Sequence, residues 1–192
     1  MAANDLTVLA NVKQWLGIGD DVLADDDMLT RLVSAISTYV TAYLNRQILS
    51  ADYTEQYTIG SGYQLTPENW PITAIKSLVI NGNVIPASPD GIQDGYVFTD
   101  KTVFLNGYTF GFAPFAQGAR YLNVTLAYTA GYASVPLDLE QAVINLVSLR
   151  YQEKERIGQR SKSIAGEVVS FNLVDMPPDV QAILQMYRRI VI

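Results

Sequence analysis

Val79-Ile80-Asn81-Gly82-Asn83-Val84-Ile85 is the stretch on which the fold turns. Asn-Gly between two β-branched runs predicts a two-residue type I′ hairpin, because both turn residues tolerate positive φ. The hairpin lies within residues 53–132, where helical periodicity is absent and Gly, Pro, Asn, Thr and Tyr are frequent. Short β-rich runs fill this region at 53–59, 75–80, 84–87, 96–98, 102–105 and 121–128. In the last of them, Leu122-Asn123-Val124-Thr125-Leu126-Ala127-Tyr128 alternates apolar and polar as a half-buried strand should. The region reads as a compact antiparallel β-subdomain.

Helices flank it. Upstream, residues 5–16 read as a short helix: Leu6, Leu9, Val12 and Leu16 recur at helical spacing, Trp15 adds bulk to the apolar side, and Gly17-Ile18-Gly19 stops it. Asp25-Asp26-Asp27 opens a longer helix in which Leu29, Leu32, Val33, Ile36, Val40, Tyr43 and Leu44 form the apolar stripe. Acids at that end suit the helix dipole and can cap free N–H groups. A calcium loop that also used Asp20 and Asp21 would need alternating Asp-x-Asp-x-Asp-Gly spacing and a glutamate at the twelfth position; both are missing, so capping is the reading adopted.

Downstream, Val135-Pro136-Leu137-Asp138 starts a third helix, with Leu139, Val143, Leu146 and Val147 as its buried stripe and a charged, solvated end at Glu153-Lys154-Glu155-Arg156. Residues 159–175 read as an irregular arm carrying the strand-like run Val168-Val169-Ser170-Phe171-Asn172-Leu173. Met176-Pro177-Pro178-Asp179 begins a last helix, with Val180, Ile183, Leu184 and Tyr187 on one side and Arg188-Arg189 in its final turn. The expected fold is therefore α+β. A helical bundle of about four helices (residues 1–52 and 133–192) carries an inserted antiparallel β-subdomain (53–132) and an extended C-terminal arm.

Composition narrows the chemistry. With no cysteine and no histidine, a disulfide framework, a structural zinc site, thiol catalysis and a Ser-His-Asp triad are all impossible, while carboxylate and lysine chemistry and oxygen-ligand metals stay open. Gly60-Ser61-Gly62 lacks the phosphate-binding Gly-x-x-x-x-Gly-Lys pattern, and Gly107-Tyr108-Thr109-Phe110-Gly111-Phe112 has no βαβ unit around it. The sequence singles out no carboxylate pair. The expectation is a protein that is not an enzyme, with no catalytic residue, cofactor or metal. A net charge of −6 and a pI near 4.5 argue against a duplex-binding surface, which concentrates Lys and Arg. No apolar run is long enough to cross a bilayer, and Met1-Ala2-Ala3-Asn4-Asp5 does not resemble a secretory signal, so a cytoplasmic origin is expected.

Surfaces for partners are the remaining signals. The run containing Val168, Val169, Phe171 and Leu173 has two possible mates: a neighbouring subunit, by strand addition, or the chain's own β-subdomain. Arg188 and Arg189, beside Tyr187, either complement the dipole of the last helix or meet an acidic partner. The aromatics of the β region (Tyr53, Tyr57, Tyr63, Trp70, Tyr96, Tyr108, Phe110, Phe112, Phe115) read mainly as core and cross-strand pairs. A carbohydrate-binding module, using Trp70 and Tyr108 as a platform, is the competing use for them.

In order, several local sequences resemble the head-tail connector proteins of tailed bacteriophages, also called adaptor, head-completion or DNA-packaging proteins. These are Val12-Lys13-Gln14-Trp15-Leu16-Gly17-Ile18 before the acid-led helix, Asn69-Trp70-Pro71-Ile72 before the hairpin, and above all Tyr128-Thr129-Ala130-Gly131-Tyr132-Ala133-Ser134-Val135-Pro136-Leu137-Asp138-Leu139-Glu140-Gln141-Ala142. Arg150-Tyr151, Ser161-Lys162-Ser163 and Met176-Pro177-Pro178 continue the likeness. The resemblance implies a non-catalytic structural protein of the virion neck, assembled in the host bacterial cytoplasm. It implies a homo-oligomeric ring, usually of twelve subunits, between the portal protein and a tail or stopper protein, with DNA passing through the channel and no sequence-specific binding of nucleic acid. It also implies a C-terminal region that contacts the portal, which makes Val168, Val169, Phe171, Leu173, Tyr187, Arg188 and Arg189 the candidate portal or subunit interface. Another neck or tail-completion ring protein is the nearest alternative.

Overall fold

In the computed structural model of the chain, residues 5–59, 62–110, 122–155, 161–164, 167–170 and 176–189 are described. The chain divides into two units, one formed by Met1–Arg46 with Val135–Ile192 and the other by Gln47–Ser134. Helices and antiparallel sheets make this an α+β fold, as read from the sequence.

The helical unit contains α1 (Leu9–Leu16), α2 (Asp26–Leu44), α3 (Leu137–Gln152) with a 3-10 turn after it (Glu153–Glu155), and α4 (Pro178–Tyr187). Helix α3 packs against α1, α2 and α4. Its buried residues are Leu139, Ala142, Val143, Ile144, Leu146, Val147 and Ser148. At about 100° per residue, Ile144 and Ser148 lie on the side opposite Leu139 and Leu146, so burial goes most of the way round. The stripe legible in the sequence was half of an interior helix. Each large apolar side chain so buried contributes about 1.5–3 kcal/mol.

Two expectations for the N-terminal helix are corrected. It starts at Leu9, not at residue 5, because Val8 is extended and the preceding residues are held by tertiary bonds. Leu6 is buried with its amide donating to Ser37 Oγ at 2.9 Å, and the Thr7 hydroxyl donates to the Glu140 carboxylate at 3.0 Å. Nor does Trp15 join the apolar side: it is 58% exposed, while Val12 and Lys13 are buried. The buried face spans Leu9, Val12, Lys13 and Leu16, and Trp15 lies about 60° from Val12 on the side away from Lys13.

The second unit is built from β1 (Ala51–Ile59), β2 (Gln64–Leu65), β3 (Ile72–Ile80), β4 (Asn83–Ile85), β5 (Gly95–Phe98), β6 (Val103–Asn106) and β7 (Leu122–Ala130). One antiparallel sheet runs β1-β7-β3-β4 and a second runs β2-β6-β5. Strand β7 is interior, and Val124, Leu126, Tyr128 and Ala130 on its inner face are fully buried. They share one core with Leu78 and Ile80 of β3, Ile85 of β4, Val103 and Leu105 of β6, and Phe110. The hairpin forms as expected, with Ile80 opposite Asn83 and φ of 52° at Asn81 and 82° at Gly82.

The aromatic residues mostly do what the packing reading required. Tyr53, directly across from Tyr128, stacks on it with ring centroids 5.6 Å apart. Tyr57 and Tyr96 pack against the core, Tyr63 and Tyr108 are exposed, and Phe112 and Phe115 lie outside the described residues. Glu55 stands among the inward positions of β1, where alternation would place an apolar residue. Its carboxylate accepts hydrogen bonds from Tyr57, from Tyr128 at 2.5 Å, from the Glu68 amide at 3.1 Å and from Asn69 Nδ2 at 3.3 Å. Burial, then the bond to Glu55, push the pKa of both tyrosines up, so each remains a donor at neutral pH. The network pins the chain just ahead of Trp70-Pro71.

The two ends of the β unit are hydrogen-bonded to each other. The Tyr132 amide donates to the Ile48 carbonyl at 2.8 Å and the Ser50 amide donates to the Tyr132 carbonyl at 2.9 Å. Gly131, at φ 113°, makes this approach possible, because a Cβ there would stand 2.6 Å from the Leu49 carbonyl oxygen. Gly82 also has positive φ but open space around it. Gly82→Ala should therefore cost only the left-handed strain, about 1–2 kcal/mol. Gly131→Ala adds a backbone collision and should cost at least about 3 kcal/mol. Urea unfolding of the two variants checks the order; equal losses would remove the close approach at Gly131 as a constraint.

Candidate functional site

The C-terminal candidates separate into two places. Tyr187 is the last residue of α4, and its hydroxyl donates to the Asp138 carboxylate at 2.8 and 2.9 Å, tying the end of α4 to the start of α3. Arg188 and Arg189 are not in the final turn as expected: Arg188 is the C-cap, with extended backbone, and no basic residue lies in the last turn of α4. The helix stops early because the chain turns toward α2. There the Arg188 guanidinium lies 4.9 Å from the Tyr43 ring centroid, and the Arg189 amide donates to the Leu44 carbonyl at 2.9 Å. Helix α2 has no cation in its own last turn, and Arg188, the C-cap of α4 set over Tyr43, brings one to the C-terminal end of α2 as well.

Val168 and Val169 lie in a separate hairpin, β8 (Ser161–Ile164) and β9 (Glu167–Ser170). Val168 is opposite Ser163 and Val169 opposite Lys162. Within the described residues the mate of this run is β8, and the two strands form a two-stranded sheet of their own. The mate was missed because Ser161-Lys162-Ser163-Ile164 is short and polar and reads as irregular. Phe171 and Leu173 lie outside the described residues.

A further cluster surrounds the start of α2. Lys13, with a side chain only 4% exposed, points its ammonium at the Val22 carbonyl (2.8 Å), the Asp20 carbonyl (3.3 Å) and the Asp26 carboxylate (2.9 Å). A buried ammonium is tolerated only when acceptors surround it in this way. The acid run therefore serves α2 differently from the expected caps. Asp25 is the N-cap but makes no side-chain cap bond, whereas Asp26 and Asp27 stand in the first turn where the dipole favours them. Asp25 instead accepts the Tyr151 hydroxyl at 2.6 Å, and Lys154 lies 3.5 Å from the same carboxylate and 4.2 Å from the Tyr151 ring centroid. This clasp joins the start of α2 to the end of α3. The Tyr151 hydrogen bond, aided by Lys154 against partial desolvation, holds the Asp25 carboxyl below the usual carboxylate range.

Among the described residues no group of three or more carboxylates could hold a metal ion, and no helix is long and apolar enough to cross a membrane.

Residues 5–190 match the head completion protein family. The chain belongs to that family. It is thus a head completion protein, a structural component of phage-type particles. Two solved structures share the fold across the whole chain and 94% of their own: the neck of an empty gene transfer agent particle computed with C6 symmetry (21% identity, TM-score 0.54) and the virion of a native gene transfer agent particle (19% identity, TM-score 0.56). A comparison with curated proteins found no match.

Two predictions follow from the α2 cluster. Lys13→Met leaves three acceptors without their ammonium and should cost about 1–3 kcal/mol. Amide exchange should speed up first at Val22 and Asp26, whose N–H groups bond within the loop to Gly19 and Leu23; uniform acceleration across the helices would contradict a local role. Asp25, with its folded pKa depressed, contributes stability that is present above its unfolded pKa and lost as pH falls through the folded value. A carboxyl titration by NMR should find Asp25 below the ordinary aspartate value, and Tyr151→Phe should move it up; an unmoved titration would mean that the hydroxyl does not set it.

Proposed function

We propose that this head completion protein forms a closed homo-oligomeric ring, of about twelve copies as the resemblance to head-tail connectors implies. The ring sits between the portal vertex of the head and the tail or its stopper, and it continues the DNA channel. The match over residues 5–190 is the observation that carries this reading. The neck with a related fold was treated with C6 symmetry, which accommodates six or twelve copies of a ring subunit. A net charge of −6 suits a channel that lets DNA pass without holding it. Assembly in the host bacterial cytoplasm belongs to the same reading.

Portal contact is assigned to the C-terminal region, with Tyr187, Arg188 and Arg189 at the end of α2 as one surface and the β8–β9 hairpin, carrying Val168 and Val169, as the other. The hairpin is a two-stranded sheet, and its outer edges suit strand addition to a neighbouring chain. Phe171 and Leu173 extend the same candidate run.

Native mass spectrometry of the protein, alone and mixed with the portal from the same genome, tests the assignment. A ring, free or formed only on the portal, is expected; a monomer that ignores the portal sinks the reading. Arg188→Glu with Arg189→Glu should abolish portal capture. The lost cation at the α2 terminus should cost only about 0.3–1 kcal/mol of stability. Full portal binding by the folded double variant would remove the arginines from the interface.

A further inference from the structure

The loop between α1 and α2 and the groove between α2 and α3 have complementary chemistry. The loop presents Val22, 46% exposed, and Leu23, 69% exposed. Exposed Asp20, Asp21 and Asp27 flank them. The Lys13 ammonium fixes the carbonyls of Asp20 and Val22 from below, so the apolar pair is held outward on a tethered backbone. The groove, about 400 Å³, is lined by Ala35, Ile36 and Tyr39 of α2 and by Leu146 and Arg150 of α3. Tyr39 is 47% exposed. The Arg150 guanidinium bonds Glu153 at 3.0 Å and still leaves its side chain 37% exposed. Arg31, exposed, stands one turn before Ala35 on the same stripe of α2. Helices α2 and α3 run antiparallel, since Tyr151 near the end of α3 reaches Asp25 at the start of α2, and this puts Arg31 and Arg150 toward the same end of the groove.

We infer that copies of this chain join head to tail, the Val22-Leu23 loop of one copy seating in the α2–α3 groove of the next. The inference rests on the ring reading and supplies its two faces. The acids beside the loop meet Arg31 and Arg150, and the apolar pair covers Ala35, Ile36 and Tyr39. The chain does not fill its own groove with its own loop, because Leu23 stays largely exposed. Two different surfaces on each copy give a heterologous contact, which closes into a ring when the rotation between copies divides a full turn, whereas a self-complementary patch would stop at a dimer. Holding the loop in place before contact lowers the ordering cost of association.

The test uses the full chain, alone and with portal from the same genome, read by native mass spectrometry and analytical ultracentrifugation, with melting curves to confirm folding. Asp20→Lys with Asp21→Lys should reduce the assembled fraction by about tenfold or more, because like charges then face each other. Arg31→Glu with Arg150→Glu should do the same, and Leu23→Ser should weaken assembly without changing charge. Combining both pairs of reversals should restore assembly toward the wild-type level. If the wild type forms rings and the folded reversals assemble as well as it does, or the combination restores nothing, this contact is wrong and the ring reading stands. Reversals that block portal capture while leaving free rings intact would give the loop to the portal and overturn the inference. A wild type that forms no ring in either setting would remove the ring reading and this contact with it.

Discussion

Helix α3 must be buried on most of its circumference, and the organisation of the helical unit follows from that requirement. One neighbour can cover only one face of a helix. Here α1 and α2 come from one end of the chain and α4 from the other, and between α2 and α3 the chain leaves for a complete β unit, Gln47–Ser134. An excursion of that length is tolerable because closure entropy grows only with the logarithm of loop length. The β unit also closes its own base through Ile48, Ser50 and Tyr132. The two ends of the insertion therefore lie side by side.

The same stretch of chain supplies the centre of both units. Strand β7 lies between β1 and β3, and α3 follows it within a few residues. This is the part of the sequence that was most legible. Alternation in Leu122-Asn123-Val124-Thr125-Leu126-Ala127-Tyr128 and the Pro136-led helix start are local signals, as is the Asn81-Gly82 turn, and each formed as its chemistry requires. What the sequence hid was tertiary. Leu6 fits a helical repeat but lies in a bend ahead of the helix, where Ser37 accepts its amide and Glu140 accepts the Thr7 hydroxyl. Trp15 looks like core because it is large, and periodicity measured from a single short helix cannot tell a 60° offset from a match.

Polar residues in apolar positions were the least legible of all. Nothing in Val12-Lys13-Gln14 distinguishes a buried lysine from a solvated one; the distinction comes from a loop that returns its carbonyls to the ammonium. Glu55 occupies an inward strand position for a related reason, with two tyrosine hydroxyls and the Glu68-Asn69 segment converging on it. In both cases one charge organises a loop that has little apolar material to hold itself. The candidate interface shows the same limit. Arg188 and Arg189 were legible as cations near the end of α4, but the docking of α4 that also brings the Arg188 guanidinium over Tyr43 of α2 was not.

These buried charges also shape the surface. A loop with four apolar residues (Ile18, Val22, Leu23 and Ala24) and several acids would ordinarily fold its apolar atoms inward or sample many conformations. Once Lys13 claims the carbonyls, the inward side of the loop is occupied by an ammonium and its acceptors, and Val22 and Leu23 have only solvent to face. Their exposure is thus a consequence of how the lysine is satisfied, and it persists in the isolated subunit. A protein whose function is to complete an assembly can keep such residues exposed, because the apolar area lost to stability in the free subunit is recovered when a neighbour covers it.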